Sequence, residues 1–118
     1  MDDKLTIDSK LDDARGICTF KLTGPLLLSN LFDFQNRLRA EKSHGLIIDL
    51  ADVPYIDSAG IGVLVNAMVS SKNHDRTLVL SGVTELVMAV LRITRVDQLF
   101  HFADSRQMQR PWRHTRLK

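Results

Sequence analysis

Residues 46–64 read LIIDLADVPYIDSAGIGVL, and this stretch decides the fold because an apolar strand leads directly into a serine at a helix start. Leu46 to Leu50 forms a short, nearly continuous apolar run, which is typical of a strand buried on both faces. Pro54 marks the turn that follows. Ser58 stands at an N-cap position, and the apolar residues after it predict a helix of roughly four turns.

Ser58 has a structural and a functional interpretation. A capping serine satisfies an orphan backbone N–H and contributes about 1 kcal/mol, which makes the structural role the commoner one. Its neighbours Asp57, Gly60 and Gly62 favour a functional role, because each glycine in a helix costs about 1 kcal/mol relative to alanine. A first turn without bulky side chains predicts a surface that another protein approaches closely.

Length and composition indicate a single soluble domain. The chain has 118 residues, of which 44% are apolar, and it contains no apolar run of the about 18 residues that a bilayer span needs. The acidic start of the chain is unlike a signal peptide, and the single Cys18 cannot form an internal disulfide. We therefore expect a cytoplasmic protein.

The charge is unevenly distributed along the chain. Residues 106–118 hold five of the 16 Lys and Arg residues and none of the 14 acidic ones. Their low apolar content and Pro111 predict that residues 105–118 form a basic, disordered tail. Arginines around Trp112 could contact an anionic partner, but solvated basic termini are commoner, so we expect no direct nucleic-acid binding.

Apolar periodicity predicts the element order β-β-α-β-α-β-α-β over residues 4–104. The predicted strands are 4–10, 16–22, 46–50, 76–81 and 99–102. The first helix is capped by Ser29 or Asn30 and ends at Gly45, and the last is capped by Thr84. Helices between strands favour right-handed crossovers, so we expect one α/β domain with a mixed sheet of four to five strands, parallel later strands, and three to four flanking helices.

The helix after Ser58 is apolar on more than one face. This pattern fits either complete burial or a rim offered to a partner, and the two alternatives have about equal weight. If a rim exists, Ile61, Val65 and Met68 are its candidates, because steps of three to four residues place them in one row beside Ser58.

Enzyme and cofactor motifs are incomplete. Ile56 stands where a G-x-S-x-G elbow needs glycine, and Val65 stands where a dinucleotide fingerprint needs its third glycine. The four histidines lack the paired spacing of a metal site. The sequence therefore predicts a protein without catalytic activity, metal or cofactor.

The run Leu46–Leu64, centred on residues 57–64, resembles the signature of the STAS domain of bacterial anti-sigma factor antagonists. The resemblance extends back through Leu22-Thr23-Gly24 and forward to about Phe102. It covers residues 4–104 and leaves only the basic tail outside. The resemblance implies a small mixed sheet flanked by helices, in agreement with the element order derived above.

The resemblance also implies a mechanism. In this family the serine that follows the aspartate, here Ser58, is phosphorylated by a partner that is both anti-sigma factor and serine kinase, and a serine phosphatase reverses the modification. The unphosphorylated protein sequesters the anti-sigma factor and so releases a sigma factor for transcription. A monomer or weak dimer is expected. The implied partner-binding residues are Asp57, Ser58, Ala59, Gly60, Ile61, Val65 and Met68.

Two positions depart from the family pattern. Pro25-Leu26-Leu27-Leu28 stands where the family often carries an acidic residue, which predicts more apolar partner contacts, and Arg95-Val96 stands where it often reads Gly-Leu. The alternative function is a structural STAS subunit, in a stress-signalling scaffold or as the accessory of a membrane transporter, in which Ser58 is never phosphorylated. Self-association at micromolar concentration would favour the scaffold.

Overall fold

Strands and helices alternate along residues 3–103, the part of the chain that the computed structural model describes. The strands are β1 (Thr6–Asp12), β2 (Ile17–Thr23), β3 (Gly45–Asp52), β4 (Thr77–Ser81) and β5 (His101–Ala103). The helices are α1 (Phe32–Ala40), α2 (Ser58–Asn73) and α3 (Glu85–Ile93), and a single 3₁₀ turn, Asp97–Leu99, precedes β5.

The five strands lie in the sheet in the same order as in the chain. β1 pairs antiparallel with β2 through a hairpin, and the other neighbours pair parallel. Each parallel pair is joined by one helix, and right-handed crossovers between adjacent strands bring all such helices to one face. The predicted mixed sheet with parallel later strands and flanking helices is confirmed.

The main core lies between the sheet and the helices. Phe20, Ile48 and Leu80 are register partners on β2, β3 and β4, and all three are buried. Phe34 of α1 meets the Phe20 ring edge to face, with centroids 5.9 Å apart. Leu64 of α2 joins the same apolar cluster, so this packing holds the helices against the sheet.

β3 is buried on both faces, as its continuous apolar run predicts. Ile48 contributes to the helix-side core, whereas Ile47 is buried on the opposite face beside its register partner Val79. Alternate side chains of a strand point to opposite faces, so one apolar run supplies both surfaces.

The first helix begins later than predicted, and neither Ser29 nor Asn30 caps it. Leu31 holds the N-cap position without a side-chain hydrogen bond. The Asn30 amide instead braces the preceding loop, because its Oδ1 accepts from the Leu27 N–H at 3.0 Å and its Nδ2 donates to the Pro25 carbonyl at 2.9 Å. The helix also ends earlier than predicted, and Gly45 is the first residue of β3.

Two further sequence predictions concern the ends of the chain and membranes. The prediction of a disordered tail over residues 105–118 falls outside the described residues. Within residues 3–103, no helix combines the length and the apolar character that a membrane crossing demands.

Candidate functional site

Asp57, not Ser58, caps helix α2. Asp57 has an extended backbone, and its Oδ1 accepts a hydrogen bond from the Gly60 N–H at 2.9 Å. Ser58 is already the first helical residue. The prediction that Ser58 is the N-cap is therefore wrong by one position, because only the residue before the first turn has the extended geometry that lets a side chain reach back to the N–H groups.

Asp57 also ties the start of α2 to the loop after β2. Its Oδ2 accepts from the Leu28 N–H at 3.0 Å, and its own N–H donates to the Leu26 carbonyl at 3.2 Å. Partial burial disfavours the charged carboxylate, but the hydrogen bonds from the Leu28 and Gly60 N–H groups outweigh it and lower the pKa of Asp57. The carboxylate is therefore charged at neutral pH and holds two segments together.

Ser58 is exposed, and its hydroxyl makes no hydrogen bond to any residue within 3–103. The N–H group that a capping serine would satisfy is already bonded to Asp57. The structural role that competes with a functional one is thus taken by the neighbouring residue. The Ser58 hydroxyl is available to a partner or a modifying enzyme.

The two glycines of the first turn of α2 have different surroundings. A Cβ atom on Gly60 would lie 2.4 Å from the Leu26 carbonyl oxygen and 2.6 Å from Cγ1 of Ile56. A Cβ atom on Gly62 would meet nothing within 4 Å. The expectation that both glycines leave room for a partner therefore applies to Gly62 alone, because the protein's own loop fills the space beside Gly60.

The structure bears on the two alternatives for α2, complete burial or a rim that includes Ile61, Val65 and Met68. Ile61 and Met68 keep only 9% and 3% of their surface exposed and pack into the helix-side core. Val65 is half-buried, and Ala59 also packs against the core. The burial alternative therefore holds for Ile61 and Met68, because the stripe that contains them faces the sheet.

An exposed apolar residue that the sequence did not single out lies beside the site. Leu28, whose N–H binds the Asp57 carboxylate, exposes 59% of its surface, whereas Leu26 in the same apolar run is fully buried. Phe32, the first residue of α1, is also exposed. The apolar sequence Pro25–Leu28 predicts apolar partner contacts, but it does not indicate which of its leucines is exposed to solvent.

The described histidines lie away from Ser58. His74 follows the opposite end of α2, where its Nδ1 lies 2.8 Å from the Ser70 carbonyl oxygen. His44 precedes β3, and His101 begins β5. A serine becomes a nucleophile when an adjacent base accepts its proton. Among residues 3–103 no histidine is placed to do so.

Comparison with known proteins identifies the family of the chain. The family model of the STAS domain matches residues 9–108. The chain belongs to the STAS domain family. Among similar STAS proteins is the anti-sigma-B factor antagonist of Staphylococcus epidermidis, which is 29% identical over 72 residues covering 61% of this chain and 67% of the relative.

Solved structures share the fold. A Thermotoga maritima protein described as an anti-sigma factor antagonist superimposes with a TM-score of 0.73 at 25% identity, covering 87% of this STAS chain and 92% of that one. The anti-sigma factor antagonist SpoIIAA in its unphosphorylated form gives a TM-score of 0.71 at 13% identity, covering 88% and 93% of the two chains. The phosphorylated form of SpoIIAA from Bacillus gives 0.67 at 12% identity, covering 88% and 96%.

Proposed function

We propose that this STAS protein is an anti-sigma factor antagonist whose affinity for its partner is switched at Ser58. The unphosphorylated form binds an anti-sigma factor that is also a serine kinase, and a sigma factor is released. Phosphorylation of Ser58 ends the binding, and a serine phosphatase restores it. One observation carries the proposal: the Ser58 hydroxyl is exposed and makes no hydrogen bond to a residue that the structure describes, because Asp57 performs the capping. The names of its relatives point to the same partner class.

The proposed contact surface surrounds Ser58 and combines one hydroxyl with apolar side chains. Leu28, whose N–H binds Asp57, and Gly62 of α2 are exposed, and Ala59 and Val65 are partly exposed on α2. Exposed apolar groups supply binding free energy when a partner removes them from water. The surface is therefore suited to a close, largely uncharged contact centred on the hydroxyl.

The other partner-binding residues that the family resemblance implies position the contact surface without being exposed on it. Asp57 fixes the turn through the Gly60 and Leu28 N–H groups, and Gly60 lets that turn pack on Leu26. Ile61 and Met68 are core residues. Their substitution would change partner binding only by disturbing the position of α2.

Phosphorylation would change this surface without refolding the domain. A phosphoserine carries roughly −1.5 to −2 charges at neutral pH. Within the domain, the start of α2 tolerates an anion because N–H groups and the helix dipole point toward it. Across the interface, the phosphate adds bulk and charge beside the Asp57 carboxylate, next to apolar Leu28. A partner that fits the neutral hydroxyl would have to bury an unpaired charge.

A set of three variants tests the switch. Ser58→Asp should weaken binding to the cognate anti-sigma factor at least about tenfold, equivalent to ~1.4 kcal/mol, whereas Ser58→Ala should keep it. Ser70→Asp is the matched control, because it adds the same charge to an exposed serine of α2 about 18 Å further along the helix. Calorimetric titration that finds Ser58→Asp and Ser70→Asp equally tight would refute the charge switch.

Mass spectrometry tests whether the modification occurs. The protein purified from its own cells, grown with and without stress, should include a species heavier by one phosphoryl group, and fragment mapping should place that group on Ser58. The species should be absent from cells that express Ser58→Ala. An unmodified protein under all conditions that also self-associates at micromolar concentration would favour the scaffold subunit instead.

A further inference from the structure

A cleft lies between helices α1 and α2 and extends to the C-terminal end of α2. Its volume is about 400 Å³, and sites for small molecules usually measure about 300–1,000 Å³. Besides the two helices, Leu46 at the start of β3 and Arg76 before β4 line it. Ser71, on its α2 wall, lies about 20 Å along the helix from Ser58. The cleft is thus a second candidate site, separate from the proposed site of phosphorylation.

Apolar side chains from three elements line the cleft. Leu38 of α1, Leu46 of β3, and Val63 and Ala67 of α2 supply this surface. Leu46 and Val63 are buried, whereas Leu38 and Ala67 keep part of their surface exposed. Sites for small molecules are mostly apolar, with a few polar groups that orient the ligand. This part of the cleft is therefore suited to the apolar body of a ligand.

Two arginines bring positive charge to one end of the cleft. Arg39 lies in the last turn of α1, and Nη1 of Arg76 donates to the carbonyl of Glu41, the C-cap residue of the same helix, at 3.0 Å. Within residues 3–103 neither arginine forms an ion pair with a carboxylate. The Glu41 carboxylate instead accepts from the Ser43 N–H at 3.2 Å, and no described lining residue is acidic. Both guanidinium groups are therefore available to an anion.

A hydroxyl group of the lining also lacks a partner. Ser71 keeps only 2% of its surface exposed, and its hydroxyl makes no hydrogen bond to any residue in the described part of the chain. Polar groups of buried residues nearly always have a hydrogen-bond partner. An oxygen atom of a bound ligand would supply one.

We propose that this cleft binds a small organic anion in which a carboxylate is joined to an apolar body. The carboxylate pairs with the guanidinium groups of Arg39 and Arg76, whose N–H donors match the geometry of its two oxygen atoms. The apolar body covers Leu38 and Ala67 and removes them from water. The C-terminal ends of α1 and α2 carry partial negative charge, so the arginines are required for an anion to bind here. The inference does not depend on the role of Ser58.

An NMR titration of the full-length protein tests the site, with 3-phenylpropionate as the probe. The probe should shift the backbone amide signals of both walls, among them those of Leu38 and Ala67, and leave those of Gly60 and Gly62 beside Ser58 unchanged. The uncharged analogue 3-phenylpropionamide should bind at least about fivefold more weakly, because it cannot form charge-assisted hydrogen bonds to the arginines. The absence of saturable shifts in the cleft, or equal affinity for the acid and the amide, would overturn the proposal.

Two variants that remove the same charge locate the contact with the anion. Arg39→Gln in α1 should weaken the binding of 3-phenylpropionate at least about fivefold. Arg92→Gln in the last turn of α3 is the matched control and should leave the affinity unchanged, since Arg92 does not line the cleft. Both arginines are exposed, so both variants are expected to fold. Equal affinity of the two variants for the probe would refute the site.

Discussion

Helices α2 and α3 begin in the same way but use their hydroxyl groups differently. At α3 the capping residue is Thr84, whose Oγ1 accepts from the Val87 N–H at 3.2 Å and donates to the Val53 carbonyl at 3.4 Å. At α2 the capping residue is Asp57, and the hydroxyl of Ser58 has no hydrogen-bond partner among residues 3–103. A hydroxyl at a helix start is therefore hydrogen-bonded to the backbone when its own residue is the N-cap, and is left for other contacts when a neighbouring residue is the N-cap.

The third position of each helix extends the comparison. Val87 of α3 buries its side chain in the core, whereas Gly60 occupies the equivalent position of α2. The backbone of Leu26 fills the space that a side chain would take beside Gly60. The start of α2 is thus fastened to a neighbouring loop, while the start of α3 is held by side-chain packing.

The largest expected effect is on the fastened turn of α2. Gly60→Ala places a methyl group against the Leu26 carbonyl and Ile56, and overpacking of this kind costs about 1–3 kcal/mol. Gly62→Ala is the matched control, since its new methyl group meets nothing and better helix propensity should stabilise the protein by up to about 1 kcal/mol. Urea unfolding measures both changes. Equal stability of the two variants would mean that the loop does not constrain the turn.

A smaller effect on the free energy of unfolding distinguishes the Thr84 hydroxyl from the Ser58 hydroxyl. Thr84→Ala removes a cap and should lower the free energy of unfolding by about 1 kcal/mol. Ser58→Ala removes an exposed hydroxyl that bonds to no described residue and should change the free energy of unfolding by less than about 0.5 kcal/mol. Thermal and chemical unfolding of both variants provide the measurement. A loss in Ser58→Ala as large as that in Thr84→Ala would assign the capping role to serine after all.

The smallest effect is a dependence of stability on pH. The pKa of Asp57 is lowered from its ordinary value of 3.8, so its stabilising contribution is complete above that value and disappears as the pH falls through the folded-state pKa. Asp57→Asn should therefore be less stable than the wild type by about 0.5–1 kcal/mol at neutral pH. The difference should shrink in acid. A difference that is constant from pH 7 to about pH 2 would contradict a role for the charge.

Much of the fold follows from local patterns in the sequence. The apolar run Leu46–Leu50 predicts a strand buried on both faces. Its consecutive residues Ile47 and Ile48 are buried on opposite sides of the sheet. Thr84 is correctly predicted as a cap. These features depend on residue type and period, which the sequence states directly. The start of α1 was missed because the Asn30 amide binds neighbouring loop groups, so that the helix begins after it.

The details of the site depend on tertiary contacts and were less predictable. Asp57 and Ser58 are both good capping residues, and the choice between them is made by the loop that pairs Leu26 with Ile56. Helix α2 is apolar on several sides, so its period could not tell which stripe faces the sheet and buries Met68. The identity of Ser58 as the candidate residue was predictable, but the reason for its availability was not.

The agreement between strand order and chain order has a consequence for biosynthesis. Each strand pairs with the one made just before it, so every closure of the sheet spans a single connection rather than the whole chain. Pairings between strands that are neighbours in the chain keep the contact order lower than pairings of distant strands would, and a lower contact order favours faster folding. The loop carrying Leu26, the cap Asp57 and Ser58 all precede β4 and β5, so the residues of the candidate site are synthesised before the last two strands of the sheet.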